Sequence, residues 1–185
     1  MGFKPISTIH MKKCIYTFLI ACSLVACKES PSDSKSLSNS TEKVTNIKDD
    51  KTKAAKAWLI KSIEDFFLST NADQKTITTT RYNEYKSDAI GVDMDGGMTA
   101  QEFQLKWGKI YNTNYAGMGV GFLISGQDYG KVKVSKCDAK ASNVENEYIF
   151  DVQIDDPEMK AVYHREIKLV ESNNSFLIDD VKEFD

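Results

Sequence analysis

Residues 147–184, EYIFDVQIDDPEMKAVYHREIKLVESNNSFLIDDVKEF, alternate between apolar and polar side chains in three runs. The runs cover residues 147–155, 160–171 and 175–184, and a period of two is typical of strands with one buried face. The segments between them, Asp-Asp-Pro-Glu and Ser-Asn-Asn, have the composition of tight turns. The sequence therefore predicts a meander of antiparallel strands.

Before this region the pattern changes from strand to helix periodicity. Residues 131–138 still predict a strand, because Val132 and Val134 alternate with lysines. Residues 53–69 predict a helix, and residues 78–86 predict a second helix or a turn-rich segment. The apolar face of the first helix consists of Leu59, Ile63, Phe66 and Phe67, with Trp58 beside them.

A capping box marks the start of a third helix. Thr99 pairs with Glu102 three positions later, which predicts a helix of about 12 residues from this point. Its apolar residues are Phe103, Leu105, Trp107 and Ile110. Helices followed by an antiparallel sheet define an α+β fold, in which the sheet buries one face against the helices.

This order of elements resembles the nuclear-transport-factor-2-like or cystatin-like fold, in which a long first helix lies in the concave face of a curved antiparallel sheet, forming a cone. The resemblance rests on the helix at 54–68 and on Asn-Ser-Phe-Leu-Ile-Asp-Asp-Val at 174–181, which is similar to the last strand common in that group. It covers residues 53–185. It implies an enzyme or a binding module, because that fold hosts both.

Residues 11–27, MKKCIYTFLIACSLVAC, resemble the signal peptide and lipobox of a bacterial lipoprotein. Two lysines precede an apolar run that ends in Leu-Val-Ala-Cys. The resemblance implies that residues 1–26 are removed, residues 1–10 being an upstream mis-start, and that Cys27 carries the lipid. A membrane-spanning helix is the alternative, but it needs about 20 consecutive apolar residues. A lipobox ending at Cys22 would leave a shorter apolar run, so Cys27 is preferred.

The lipobox implies lipid anchoring in the bacterial outer membrane. Lys28-Glu29 after the lipidated cysteine resembles the surface-export signal of one Gram-negative group, so surface-exposed and periplasm-facing locations both stay open. The chain as a whole resembles small lipoproteins of this fold that are known only by an uncharacterised domain. Of the four cysteines only Cys137 lies in the predicted domain, where it fits a small apolar strand residue.

The lipidated Cys27 and a flexible tether occupy residues 27–51, which are rich in Ser, Lys, Asp and Asn and are expected to be extended or disordered. Residues 52–185 are expected to form a single α+β binding domain. From residue 57 onward the chain has 14 Lys and Arg against 22 Asp and Glu, a net charge of −8. Such a domain does not fit nucleic acid as a partner, and it is compatible with a basic protein.

Two neighbouring residues on the predicted strand 160–171 are candidates for chemistry in the cone. Strand alternation places His164 on the outer face and Arg165 on the inner face. A buried arginine needs a partner, so Arg165 is expected to form an ion pair with Asp180 or another buried carboxylate, or to bind an anionic ligand. No catalytic residue is assigned.

Two other motifs are weaker. Asp93 and Asp95 begin like a calcium loop, but Met98 and Gln104 occupy the positions where an EF-hand has Gly and Glu, so no metal is assigned. Residues 117–121, GMGVG, do not fit a dinucleotide fingerprint, because they run on into Phe-Leu-Ile. They are expected to form a bulged or closely packed strand.

Aromatic residues cluster near these glycines. Core packing explains them most simply, and the alternative is that they line the mouth of the cone or a protein-binding surface. The candidate binding residues are Tyr111, Tyr115, Met118 and Tyr129.

These features lead to one functional hypothesis and one alternative. The hypothesis is a non-enzymatic, membrane-anchored binding module without a cofactor that captures an envelope protein, in its specific form as an inhibitor or immunity factor. The alternative is a small-molecule binder or enzyme using the cone interior around Arg165. The oligomeric state stays open.

Overall fold

The computed structural model describes residues 38–126 and 128–184, with side chains from Lys48 onward. The predicted signal peptide and Cys27, the predicted site of lipid attachment, lie outside the described residues. The described elements, in chain order, are α1 (Ser38–Leu68), a short 3-10 turn (Gln74–Thr76), α2 (Thr80–Gly91), α3 (Ala100–Trp107), α4 (Thr113–Ala116), β1 (Lys133–Lys140), β2 (Glu147–Asp156), β3 (Ala161–Ser172) and β4 (Ser175–Glu183).

The first helix starts earlier than the sequence predicts. It runs over Ser38–Leu68, so the part of the expected tether from residue 38 onward is helical. Helix propagation is much less costly than nucleation, and this stretch contains neither Gly nor Pro to stop it. Two lysines also join this part of α1 to the sheet: the Lys48 Nζ atom donates to the Ser142 carbonyl at 3.1 Å, and Lys51 pairs with Glu171 at 2.9 Å.

The second half of α1 forms one side of the core. Its inward-facing residues recur every four positions, which places them on one helical face. They are Ala55, Leu59, Ile63 and Phe67, and all four are buried. This face packs against β1, β2 and β4.

The third helix confirms the capping box but is shorter than expected. The Thr99 hydroxyl accepts from the Glu102 backbone N–H, and the Glu102 carboxylate accepts from the Thr99 N–H at 2.8 Å. The helix ends at Trp107, and Phe103 and Trp107 are buried four positions apart. Leu105 is 74% exposed because two positions along a helix correspond to the opposite face.

The sheet confirms the α+β class and the antiparallel meander. In the described residues it has four strands in the order β1-β2-β3-β4, each antiparallel to the next. β2 alternates strictly between buried and half-buried residues, as the sequence predicts. Its buried side chains are Tyr148, Phe150, Val152, Ile154 and Asp156.

A bulge interrupts the pairing of β3 with β4. Leu169 pairs with Ile178 and Lys168 pairs with Asp180, so Asp179 is the extra residue. An extra residue reverses the alternation beyond it. Ile178 is therefore buried on one side of the bulge, and Val181 and Glu183 are buried on the other.

The residues at the start of α2 form hydrogen bonds to this bulge. The Thr79 N–H donates to the Ile178 carbonyl at 2.8 Å, and the Ile178 N–H donates to the Ile77 carbonyl at 2.9 Å. The Asp179 carboxylate accepts from the Thr79 hydroxyl at 2.9 Å and pairs with Arg81 at 3.0 Å. These contacts set the position of α2 over the sheet.

The exposed edge of the sheet at β1 is partly covered. A bulge lies between Val134 and Lys136, and the Val134 N–H donates to the Glu64 carboxylate of α1 at 3.1 Å. Cys137 is buried on β1, as expected for a small apolar residue, and burial raises the pKa of its thiol to about 11.

Candidate functional site

The sequence-predicted Arg165 is a buried residue with a buried carboxylate partner. Arg165 and Glu183 lie opposite each other in the register of β3 and β4, and their side chains are 0% and 4% exposed. The Arg165 Nη2 atom lies 3.5 Å from the Glu183 Oε2 atom. The expected ion pair is therefore present, but its carboxylate is Glu183 rather than Asp180. The reason is the Asp179 bulge, which places Val181 and Glu183 on the core side.

The segment between α4 and β1 covers this pair. The Arg165 Nε atom donates to the Leu123 carbonyl at 2.7 Å, and the Ser125 hydroxyl donates to the Glu183 Oε2 atom at 3.1 Å. Leu123 is fully buried and has a φ of 63°, a strained value for an L residue. The bond to Arg165 and the burial of Leu123 hold this conformation.

The prediction of a strand in this segment was wrong. The segment is a loop with a single bridge between Phe122 and Ile124. Gly119 has a φ of 73°, which ends any extended run there. Close packing was correct, since a Cβ atom at Gly117 would lie 2.1 Å from the Thr113 carbonyl oxygen.

Lys86 is a second buried cation beneath the same loop, and sequence reasoning missed it. Its Nζ atom donates to the carbonyls of Ala116 at 3.2 Å and Val120 at 2.8 Å. Burial lowers its pKa to about 8, an effect that Glu183 opposes and Arg165 reinforces. A lysine with such a pKa could act as a base, but here its hydrogens are directed at two carbonyl groups. The only available signal was its position between Tyr82 and Ala89 on the buried face of α2.

Large side chains fill the space between α2, α3 and the sheet. Tyr85 stacks on Phe103 with ring centroids 5.6 Å apart and packs against Tyr111 at 4.4 Å. Tyr82 packs against Tyr111 at 5.6 Å, and burial raises the pKa of Tyr82 well above its usual value. Tyr111 is itself buried, which agrees with the expectation of core packing and not with the alternative of a protein-binding surface. Just beyond the end of α3, its N–H donates to the Trp107 carbonyl at 3.0 Å, and its ring packs against that of Trp107 with centroids 5.8 Å apart.

The predicted residue Tyr115 lies on the surface with Phe184. Their ring centroids are 5.0 Å apart, and the two residues are 38% and 47% exposed. Met118, three residues after Tyr115, is also exposed. We call Tyr115, Met118 and Phe184 the aromatic rim. The sequence did not identify Phe184 as a surface residue, because an aromatic residue at the end of a predicted strand is usually expected to pack in the core.

Tyr129 is exposed in another cluster. Its ring lies 4.9 Å from that of Phe67 at the end of α1. Phe66 contacts Phe67 and Phe122, each with centroids 5.3 Å apart. Tyr129 therefore covers the end of the core.

The other face of the sheet carries charges. His164 is exposed, as alternation predicts, and Glu166 on the same face lies between Lys140 and Lys182. Partial burial tends to raise the pKa of Glu166, but hydrogen bonds from the two lysines outweigh it and lower the pKa. The lining of a groove of about 160 Å³ includes Gln153, His164 and Arg165, and also Phe184 of the aromatic rim.

The Asp93 loop is a turn that leads into α3. The Asp93 N–H donates to the Met98 carbonyl at 3.0 Å, and the Gly97 N–H donates to the Met94 carbonyl at 2.9 Å. Within residues 38–126 and 128–184, no group of three or more His, Cys, Asp or Glu side chains could hold a metal ion.

Within residues 38–126 and 128–184, no helix combines the length and the hydropathy needed to cross a bilayer. Cys27 precedes these residues.

Comparisons with models of protein families, with curated protein sequences and with solved structures gave no match to this chain. Function is therefore inferred from the side chains themselves. They form two candidate sites, the buried group of Arg165, Glu183 and Lys86 and the exposed aromatic rim.

Proposed function

We propose that this protein is a lipid-anchored lipoprotein of the bacterial outer membrane whose domain binds another envelope protein. The lipobox ending at Cys27 supports the anchor. The binding role is supported by a core that is filled with large side chains and leaves little space for a small molecule. The more specific form of this proposal is that the partner is a cell-wall hydrolase, which the domain inhibits.

We also propose the nuclear-transport-factor-2-like or cystatin-like form of the α+β fold. Its support is the packing of the long α1 against β1, β2 and β4, and of α2 and α4 against β4. Bulges at Val134 and at Asp179 provide the local bending that a cone requires.

The occupied interior is the observation that carries the binding proposal. A small-molecule site in the cone would need space next to polar groups, but the tyrosines of α2, Phe103 and Phe150 fill that region. The charged groups there already contact one another or backbone carbonyls. The alternative of a ligand or catalytic site around Arg165 has less support, because a ligand would have to displace these contacts.

The aromatic rim supplies a surface for a protein. Tyr, Phe and Met are favoured at protein interfaces, and the negative charge of the domain favours a basic partner. The rim lies at the end of the sheet where β4 finishes, whereas Lys48 of α1 contacts Ser142 at the other end.

Site-specific photo-crosslinking in the native envelope tests this function. A photoreactive residue at position 115 is expected to crosslink one protein of defined mass, and Phe184→Ala is expected to reduce the yield. The control position is Val144, which is exposed in the turn between β1 and β2. Equal crosslinking at both positions, or a small molecule released from the purified protein on denaturation, would contradict the proposal.

Metabolic labelling with palmitate tests the anchor independently. We expect Cys27→Ser to abolish incorporation and Cys22→Ser to leave it unchanged. Loss of the label in Cys22→Ser alone would move the lipid to the other lipobox.

A further inference from the structure

A groove of about 310 Å³ runs beside the last two turns of α1. One wall is α1 itself, and the other is the segment of residues 71–77 that leads to α2. Phe66 and Ile77, both half-buried and packed against the core, provide its apolar surface. The aromatic rim does not include any of these residues.

The polar side chains of the groove carry negative charge. Asp65 on α1 and Asp73 on the facing segment line it, together with the hydroxyl groups of Ser62 and Thr76. Its lining includes no Lys or Arg. An apolar surface next to two carboxylates is complementary to a side chain that has an aliphatic stem and a cationic end.

The C-terminal end of α1 adds to the negative electrostatic potential in the groove. A helix carries partial negative charge at its C-terminus, and a basic residue in the last turn usually compensates it. The last turn of α1 contains no basic residue, and Asp65 lies in it. The helix end therefore increases the attraction for a cation in the groove.

We propose that this groove receives a Lys or Arg side chain of a basic protein partner, the stem lying on Phe66 and Ile77 and the cation between Asp65 and Asp73. The inference rests on the proposed function and names a contact that the partner makes. The occupant is a protein side chain rather than a free metal ion, because the apolar walls contribute nothing to a bare ion.

Lys61 competes for one of the carboxylates. Its Nζ atom lies 2.6 Å from the Asp65 Oδ2 atom, and the two side chains are 76% and 59% exposed. An exposed pair of this kind contributes little to stability, so an incoming cation can displace it. The structure thus contains a weak internal competitor, and its removal should strengthen binding.

The test uses the purified chain in detergent micelles and N-acetyl-arginine amide as the probe, followed by amide chemical shifts. We expect saturable shifts at residues 62, 69, 71 and 76. The neutral isostere N-acetyl-citrulline amide is expected to bind about ten-fold more weakly or not at all, because it keeps the stem but lacks the charge.

Variants locate the site. Asp65→Asn and Asp73→Asn should each weaken binding of the arginine probe several-fold, because each removes one negative charge from the groove. An asparagine at position 73 can still accept the turn hydrogen bond from the Lys75 N–H, so the turn should be preserved. Lys61→Ala should strengthen it about two- to three-fold. The controls are Asp95→Asn, an exposed acidic residue of another loop, and Lys53→Ala, an exposed lysine nearer the start of α1.

Amide chemical-shift changes that rise linearly with the concentration of the arginine probe, without saturation, would overturn the inference. Binding of the citrulline probe as strong as that of the arginine probe would also overturn it. So would equal weakening by Asp95→Asn, because binding would then reflect the overall charge. Crosslinking at position 115 is independent of these results. If the groove binds the probe but position 115 crosslinks no protein, the proposed function is refuted and the cation-binding groove is still supported.

Discussion

Arg165 and Glu183 occupy directly paired positions on adjacent strands, and the Arg165 Nη2 atom lies 3.5 Å from the Glu183 Oε2 atom. Both side chains are almost completely buried. Arg165 also donates to the carbonyls of Leu123 and of its neighbour His164, each at 2.7 Å. The pair thereby joins the last two strands to the loop that covers the core.

Removal of one member of this pair should be strongly destabilising. Glu183→Gln removes the charge of the buried carboxylate that faces the Arg165 guanidinium, and we expect a loss of about 3 kcal/mol in the free energy of unfolding. The double variant Arg165→Met with Glu183→Met should recover at least half of that loss, because the buried guanidinium is removed together with the carboxylate. Urea denaturation of the three proteins measures both changes. A loss below about 1 kcal/mol in Glu183→Gln would show that the charge pair is not important for stability.

Lys86 predicts a pH dependence of stability. Its pKa is about 8 in the folded protein, below the ordinary value of 10.5. Between these values the unfolded chain binds the proton more strongly, so the free energy of unfolding should rise as pH increases through this window. From pH 8 to pH 9.5 the rise from this group is at most about 2 kcal/mol.

Urea denaturation at pH 7, 8, 9 and 9.5 checks the effect of Lys86. The rise should be absent in Lys86→Met and present in Lys61→Met, which replaces an exposed lysine. Lys86→Met also removes hydrogen bonds to two carbonyl groups and should be less stable at every pH. The slope with pH is therefore the decisive readout, and equal slopes in both variants would contradict the assignment.

Glu64 predicts local protection of the sheet edge. Its carboxylate accepts from the Val134 N–H at 3.1 Å beside the β1 bulge. In Glu64→Ala we expect the Val134 amide to exchange with solvent about ten-fold faster or more, corresponding to about 1.4 kcal/mol of local stability. Glu64→Gln keeps an acceptor and should remain close to the wild type. Hydrogen exchange followed by NMR measures the rates, and unchanged exchange in Glu64→Ala would contradict the contact.

The rim and the core should respond differently to truncation. Tyr115→Ala and Phe184→Ala each remove an exposed ring and should lower the free energy of unfolding by about 1 kcal/mol or less. Tyr85→Ala removes a buried ring that contacts Phe103 and Trp107, and we expect a loss of about 3–5 kcal/mol. Thermal and urea unfolding provide the comparison. A large loss in the rim variants would indicate that the rim is structural.

Local patterns in the sequence predicted much of the fold. The alternation in β2 and β3, the turns between the last strands and the Thr99 capping box depend on residues close together in the chain. The inward position of Arg165 followed from the same alternation. The length of α1 was not predictable in this way, because its first half contains few apolar residues. Its contacts through Lys48 and Lys51 are made with the turn between β1 and β2 and with β3, far along the chain.

The sequence by itself determined the α+β class, the order of helices before the antiparallel sheet and the face to which Arg165 points, since these depend on periods of two and 3.6 residues. Only the tertiary structure decided the partner of Arg165, the burial of Tyr111 and Lys86 and the pairing of Tyr115 with Phe184. One extra residue at Asp179 changes which carboxylate faces the core, and no local pattern marks that residue. Contacts between distant parts of the chain form only when the sheet and helices pack together, and they define both candidate sites.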